Sequence, residues 1–332
     1  MEKEVIVIGS GPAGIAAAWS AAKNGSKVLL IERYGFLGGM ATAGLVGGIL
    51  GHYLSEKEPA VAGFLKYLVN RMAEFDGCEK WEIAYKKGSI SFDSEVLKYA
   101  AETLLLEQKV EILYHSYAIS SKVKEGKIEE IEIVNKSGVQ KIKGDVFVDT
   151  TGDADIAYYS GFEYTKGRPQ DGKTEAMGSM FKISGINEEK LTEEVIKEAG
   201  EKLTELREKG ELKIYNTGLG GKGSTTQKGE RSFNVMRFPG DATNVEDLTK
   251  GEIELRKQVF KYLKFLKRNV PGFENAYISS LPANIGIRET RQIKGLYTMT
   301  EENVISGIKT EDSIARCTYW IDIHCPLGRT KD

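Results

Sequence analysis

Apolar positions change their spacing several times along the chain, and each change marks an element. Residues 5–8 form an uninterrupted Val/Ile run, the pattern of a strand buried on both faces. Gly9, Gly11 and Gly14 follow, and then an alanine-rich helical stretch over 15–23. Pro12 suits a first helical turn, where its missing N–H is not needed. A second apolar run over 28–31 predicts another buried strand, and it stops at Glu32. Residues 59–73 have helical spacing. Asp93 or Ser94 caps a predicted helix over 95–106, with Val96, Tyr99, Ala100, Thr103 and Leu104 as its inner face. A short strand is expected at 110–113. Residues 117–148 alternate in three runs broken at Glu125-Gly126 and Ser137-Gly138, which predicts a three-stranded antiparallel meander. The meander leads into Asp149-Thr-Thr-Gly-Asp-Ala-Asp155.

From about Phe162 the segments are longer and more charged. Strands are expected near 163–166, 177–183 and 232–237, with helices over 187–209 and 244–269. After Pro271-Gly272 the chain returns to turns and strands, ending Tyr319-Trp-Ile-Asp-Ile-His-Cys-Pro-Leu-Gly328. Together these patterns predict an α/β protein. A Rossmann-like dinucleotide domain, a parallel sheet plus the meander, takes residues 1–160 with 283–332; a mixed α+β substrate domain over 161–282 interrupts it.

The glycine spacing carries the first chemistry. Gly9 allows a tight turn, Gly11 lets a pyrophosphate approach the backbone, and Gly14 lets the helix pack against the strand. The helix N-terminus offers N–H donors to phosphates. Glu32 can accept hydrogen bonds from both hydroxyls of an adenosine ribose and repels a 2′-phosphate. The plainer reading is a strand-turn-helix with incidental glycines. It leaves the acid at the expected distance unexplained. A second glycine-rich stretch runs over 35–44 and on through Gly47, Gly48 and Gly51, as a flexible loop or as backbone pressed against a flat ligand.

Composition narrows the classes. The net charge is −2 and 28% of residues are charged, which suggests no nucleic-acid surface. No apolar run reaches the ~20 residues of a membrane span. The first strand begins almost at once, which leaves no room for a signal peptide. Cys78, Cys317 and Cys325 are scattered, which argues against a disulfide framework and fits a reducing cytoplasm. Homo-oligomerisation stays open.

Arg288 and Arg291 flank Glu289, either as a clamp for a carboxylate or as an internal Arg–Glu network. Asp322 and His324 share one face of the expected last strand, and His324 is a candidate proton donor or acceptor near neutral pH, or a structural histidine. His52 and His115 read as structural or exposed. His324 and Cys325 point to opposite faces, so no metal set is assigned.

The stretches VIVIGSGPAGIAAA, LLIERYGFLGGMATAGLV, VFVDTTGDADIA, IGIRETRQIKGLYTMTEENV and DIHCPLG resemble FAD-dependent oxidoreductases of the glutathione-reductase-like fold. The likeness is greatest to the group related to the flavin-binding component of heterodisulfide reductase. The resemblance implies that Gly9, Gly11 and Gly14 hold the FAD pyrophosphate and Glu32 the ribose, with Arg33 beside the adenine half. Gly38, Gly39, Met40, Ala41 and Thr42 would run along pyrophosphate and flavin. Ala118 would meet the adenine through its backbone, and Thr151, Gly152 and Asp153 would close over the cofactor. Arg288 would then clamp a small anionic substrate or stabilise reduced flavin.

Relatives of that group continue beyond this chain's last residue with a strand and a helix aimed at the flavin, so loose FAD binding is expected. Cys325 stands where a polar residue is expected. The group associates with 4Fe-4S clusters, for which this chain supplies no motif. The implied function is a cytoplasmic FAD-dependent oxidoreductase acting between a small substrate and an acceptor. The alternatives are an electron-transfer subunit with an iron–sulfur partner or a separately encoded C-terminal segment, or a non-catalytic remnant.

Overall fold

The computed structural model describes residues 3–313 and 315–328. In chain order the first region holds β1 (Lys3–Ile8), α1 (Pro12–Lys23), β2 (Val28–Ile31), β3 (Gly48–Ile49), α2 (Phe64–Ala73), α3 (Trp81–Ala84), β4 (Ile90–Ser91) and α4 (Ser94–Glu107). Then come β5 (Glu111–Leu113), β6 (Tyr117–Lys124), β7 (Lys127–Asn135), β8 (Gly138–Asp149) and α5 (Asp155–Tyr159). The remainder is β9 (Tyr164–Lys166), β10 (Met177–Ser184), α6 (Glu193–Glu208), β11 (Arg231–Phe238), α7 (Val245–Asn269), β12 (Tyr277–Ser280), β13 (Arg291–Ile293) and α8 (Glu301–Ser306).

The main sheet has the order β5-β2-β1-β8-β7-β6. β5, β2, β1 and β8 run parallel, while β8, β7 and β6 form the antiparallel meander. β1 alternates its burial: Val7 packs among the residues of α1 and α4, whereas Ile6 and Ile8 pack against Ile131, Ile133 and Ile156. That two-sided demand is why the strand is apolar without interruption. Ile8 is level with Ile31 on one side and with Asp149 on the other. The register therefore sets Gly9, Glu32 and Thr150 at one edge of the sheet, at the point where connections leave β1 in opposite directions. Open α/β sheets bind ligands there.

A second core surrounds Phe181 and Phe233, whose rings stack at 5.3 Å, with Tyr262 and Leu266 of α7 over them. β10 pairs with both β11 and β12. The segment after β12 then returns to the first region. Ala283 N donates to Ala43 O (2.8 Å), and Gly286 and Gly178 exchange backbone hydrogen bonds of 2.6 and 2.9 Å.

Three local expectations change. The inner face of α4 is Leu97, Ala100, Ala101, Leu104 and Leu105, while Tyr99 is 51% exposed. The Leu97-Ala101-Leu105 row supplies better packing than the face through Tyr99. The helix expected over 187–209 is two elements, because the Thr192 hydroxyl accepts from Val195 N and restarts the helix. Residues 315–325 form no strand, yet the alternation of Asp322 and His324 survives in that stretch.

Candidate functional site

The cleft at the sheet edge is lined by Gly9, Gly11, Ala13, Glu32, Arg33, Gly39, Met40, Ala118, Thr151, Gly152, Asp153 and Arg288, among others. Its glycines have distinct duties. A Cβ on Gly9 would stand 2.4 Å from Thr150 O, and one on Gly14 would stand 1.9 Å from Gly9 O. Those two positions serve the packing of β1, α1 and β8. A Cβ on Gly11 would meet nothing within 4 Å. Its emptiness is open space at the mouth of α1. No side chain caps α1 and Pro12 has no N–H, so the first-turn N–H groups are left to the cleft. Gly39 packs directly on Gly11, where its Cβ would lie 2.7 Å from the Gly11 Cα.

Glu32 is 4% exposed. Its Oε2 accepts from Ser10 N (2.7 Å) and Ser10 Oγ (2.6 Å), and its Oε1 accepts from Tyr34 N (2.8 Å). A carboxylate has about four acceptor positions, so one stays open for a ligand, and a second opens if the Ser10 hydroxyl turns away. Ser116 N donates to Glu32 O, which draws the start of β6 and Ala118 to the cleft. Thr151 is oriented by Asp149 Oδ1 (2.7 Å), and Gly152 adopts φ +85° with nothing within 4 Å of a built Cβ. Asp153 accepts from Thr290 Oγ1 at 3.0 Å, and burial raises its carboxyl pKa.

The second glycine segment divides. Gly39 and Met40 face the cleft, while Gly38, Met40 and Ala41 line an adjoining apolar cavity of about 830 Å³ with Phe64, Leu68 and Leu97. Thr42 is buried and donates its hydroxyl to Leu37 O, so its side chain serves the turn.

The opposite end of the cleft is basic. Arg288 is half-buried and donates Nη1 to Ala176 O at 3.1 Å. Arg237 on β11 is 7% exposed; its Nη1 donates to Asn234 Oδ1 (2.7 Å) and Met236 O (2.9 Å), and its guanidinium lies 3.8 Å over the Tyr215 ring. Arg237 Nη2 is buried with no hydrogen-bond partner among the described residues. A Cβ on Gly178 would stand 2.9 Å from Arg288 Nη1 and 3.1 Å from Arg237 Nη1, so the two nitrogens are at most about 6 Å apart. Burial first, and then Arg288, pulls the Arg237 pKa down to about 10. His324 Nε2 is 3.5 Å from Asp322 Oδ2; burial, then Arg288, lowers its pKa below the ordinary 6.5. Burial raises the Glu175 carboxyl.

The paired arginines expected at 288 and 291 separate. Arg291 donates to Asp155 Oδ1 and Asp153 O, both at 2.8 Å, and lies over the Tyr158 ring. Glu289 accepts from Glu175 N and Gln292 Nε2. The internal network therefore claims Arg291 and Glu289, and the neighbour of Arg288 is Arg237. Sequence reasoning passed over Arg237. Simple alternation could not have marked it, because a register shift in β11 between Phe233 and Met236 turns Arg237 to the face opposite Arg231. His52 is buried, His115 is exposed, and no group of His, Cys, Asp and Glu able to hold a metal occurs among the described residues.

A Gly-turn, a buried acid after β2 and a basic wall on one cleft define a dinucleotide-binding redox fold. The sequence matches the FAD dependent oxidoreductase family over residues 4–332, and the chain belongs to that family. Two curated relatives match shorter stretches. Thiamine thiazole synthase of Aeropyrum pernix is 49% identical over 39 residues, 12% of this chain and 14% of that protein. Digeranylgeranylglycerophospholipid reductase 2 of Methanopyrus kandleri is 27% identical over 157 residues, 46% of this chain and 38% of that protein. The matches thus span well under two thirds of either relative. Among solved structures, CabE, an aromatic hydroxylase from angucycline biosynthesis, superposes with a TM-score of 0.51 at 12% identity, covering 90% of this chain and 55% of that one. That likeness is one of fold.

FAD is the cofactor of this family, and the residues present fit it. Gly11 leaves room where a side chain would block a pyrophosphate, the α1 N–H groups are uncapped, and a buried acid ends β2. No helix among the described residues is long and apolar enough to cross a membrane.

Proposed function

We propose that this chain is a FAD-dependent oxidoreductase that moves a hydride or electron pair between a small anionic substrate and an acceptor. The observation that carries the reading is the open space at Gly11 beside an uncapped helix N-terminus, on the same cleft as Glu32 and Arg288. Gly9 and Gly14 hold the turn that presents those N–H groups. Glu32 offers its remaining acceptor position to the ribose, and Arg33 and Ala118 border the adenine half. Gly38 to Thr42 shape the turn beneath pyrophosphate and flavin, while Thr151, Gly152 and Asp153 form the far wall. When bound, FAD supplies the two-electron chemistry; the protein supplies placement and electrostatics. In this reading residues 161–282 are the substrate domain, His324 beside Arg288 is the candidate group for proton movement, and the location is cytoplasmic.

A second reading keeps the kinship with the flavin-binding component of heterodisulfide reductase: a flavin-carrying electron-transfer subunit with an iron–sulfur partner. The exposed apolar residues Leu296, Tyr297, Trp320 and Ile323 favour it, since they offer a surface for another chain. Copurification of an iron–sulfur protein separates the two readings.

FAD titration followed by flavin fluorescence tests the proposal. One FAD per chain is expected. In Gly11→Ala the added methyl enters the cleft and touches no protein atom, and the Gly11 φ of −61° is open to alanine. Its affinity for FAD should fall about a hundredfold, roughly 3 kcal/mol, with the apoprotein still folded. Equal FAD affinity in the two proteins would remove Gly11 from the pyrophosphate site.

A further inference from the structure

Two arginines among the described residues are buried, both on β11, and their surroundings differ. Arg231 places its fork on Glu188, Nε to Oε1 at 2.8 Å and Nη2 to Oε2 at 2.6 Å. Among the described residues Arg237 has no such acid: its Nη1 donates to an amide and a carbonyl, and its Nη2 has no partner. Arg288 beside it donates to a carbonyl. Two guanidiniums within about 6 Å of each other repel, and each loses hydration in the fold. Neither has a carboxylate at ion-pair distance among the described residues. A buried charge of this kind costs stability unless a partner completes it.

We infer that Arg237 and Arg288 form an anion subsite that takes the carboxylate of a small organic acid, the substrate end of the flavin reading above, on which this assignment rests. The geometry favours a carboxylate because guanidinium forks match two coplanar oxygens. The groups facing the pair are Glu175, Asp322, His324 and Tyr215. Burial raises the Glu175 carboxyl pKa, and burial with Arg288 lowers that of His324. Arg288 lines the cleft, so an anion on its guanidinium arrives from that side, next to the neighbouring Arg237 guanidinium. Gly178 is a positioning residue, since any side chain there would push both guanidiniums aside.

The test is an NMR titration of the FAD-loaded protein with sodium acetate, sodium chloride being the ionic-strength control. The chain has three histidines, so the His324 ring signal is assignable. Saturable displacement of that signal by acetate is expected, together with an upward shift in its titration midpoint as the bound anion offsets the arginines. Arg237→Met and Arg288→Met should each weaken acetate binding about ten- to a hundredfold, the worth of hydrogen bonds to a charged group. FAD affinity should stay the same in both. Arg237→Lys keeps the charge without the fork and should lose acetate binding in the same direction. The inference is overturned if acetate gives no saturable shift, if Arg237→Met binds acetate as well as the parent, or if phosphate binds more tightly than acetate. Loss of FAD from Arg237→Met would assign the pair to the cofactor instead. If the parent chain fails to take up FAD at all, the flavin reading fails, while the same acetate titration on the apoprotein still decides the arginine pair.

Discussion

At the glycine end of the cleft, the buried charge is mostly engaged by the protein. Glu32 holds Ser10 and Tyr34 through three hydrogen bonds, and those contacts fix the turn that frames the α1 N-terminus. At the arginine end, the buried charge is engaged only by neutral acceptors and incompletely. Arg237 keeps an unpartnered nitrogen and leans on Tyr215, with Arg288 as its charged neighbour. The first end is preformed, and it offers a ligand mainly backbone N–H groups. The second end is incomplete, and it offers a ligand unspent charge. Perturbed, uncompensated groups in a cleft mark functional sites more often than structural ones.

The largest effect expected from this contrast lies within the glycine end itself. Gly14→Val drives a side chain into Gly9 O and Thr150, where the backbone has no room. It should cost about 4 kcal/mol or more, read as a large loss in urea midpoint or as insoluble protein. Gly11→Ala, three residues away, should leave the apoprotein midpoint nearly unchanged. Equal stability of the two variants would erase the distinction between a packing glycine and a ligand glycine.

Next come the two buried arginines. Arg231→Met strands Glu188 and should destabilise by about 3 kcal/mol. Arg237→Met removes a charge with no carboxylate at ion-pair distance among the described residues, and should stabilise by about 1 kcal/mol. Chemical denaturation of the ligand-free proteins reads both. The same sign for both variants would mean that Arg237 is structurally compensated after all.

The smallest effect is electrostatic. Burial and the arginines hold the native His324 pKa below 6.5. Because the native value lies below the unfolded one, His324 contributes stability above pH 6.5 that is lost as pH falls through the native pKa. Arg237→Met removes one of the depressing charges, so the His324 midpoint should rise toward 6.5 and the acid loss should shrink. An unchanged midpoint by NMR would show that Arg237's charge does not reach the ring.

Much of the glycine end was legible because its signals are local. A continuous β-branched strand, Gly9, Gly11, Gly14 and a terminal Glu32 each carry their reason within a few residues. So did the meander, whose turns at Glu125-Gly126 and near Ser137-Gly138 fall where the strands end. Errors arose where two local solutions competed. On α4, the Leu97-Ala101-Leu105 row won over the face through Tyr99 because the α2 helix packs on it. At Arg288-Glu289-Arg291, sequence proximity suggested one cluster. The fold sends Arg291 to Asp155 and Glu289 to the Glu175 backbone.

The sequence by itself determined the main strands and helices of the first region, where the dinucleotide turn stands, and that an acid closes β2, while α3, β3, β4 and α5 were not read from it. Hydrophobic period and glycine placement are properties of neighbouring residues, so they can be read in one dimension. Only the tertiary structure decided which charges meet. Sheet register aligned Gly9, Glu32 and Thr150 on one edge, and the Gly178–Gly286 backbone pair brought Arg288 beside Arg237. An arginine's partner is set by the packing of distant strands, and its spacing along the chain carries no record of that.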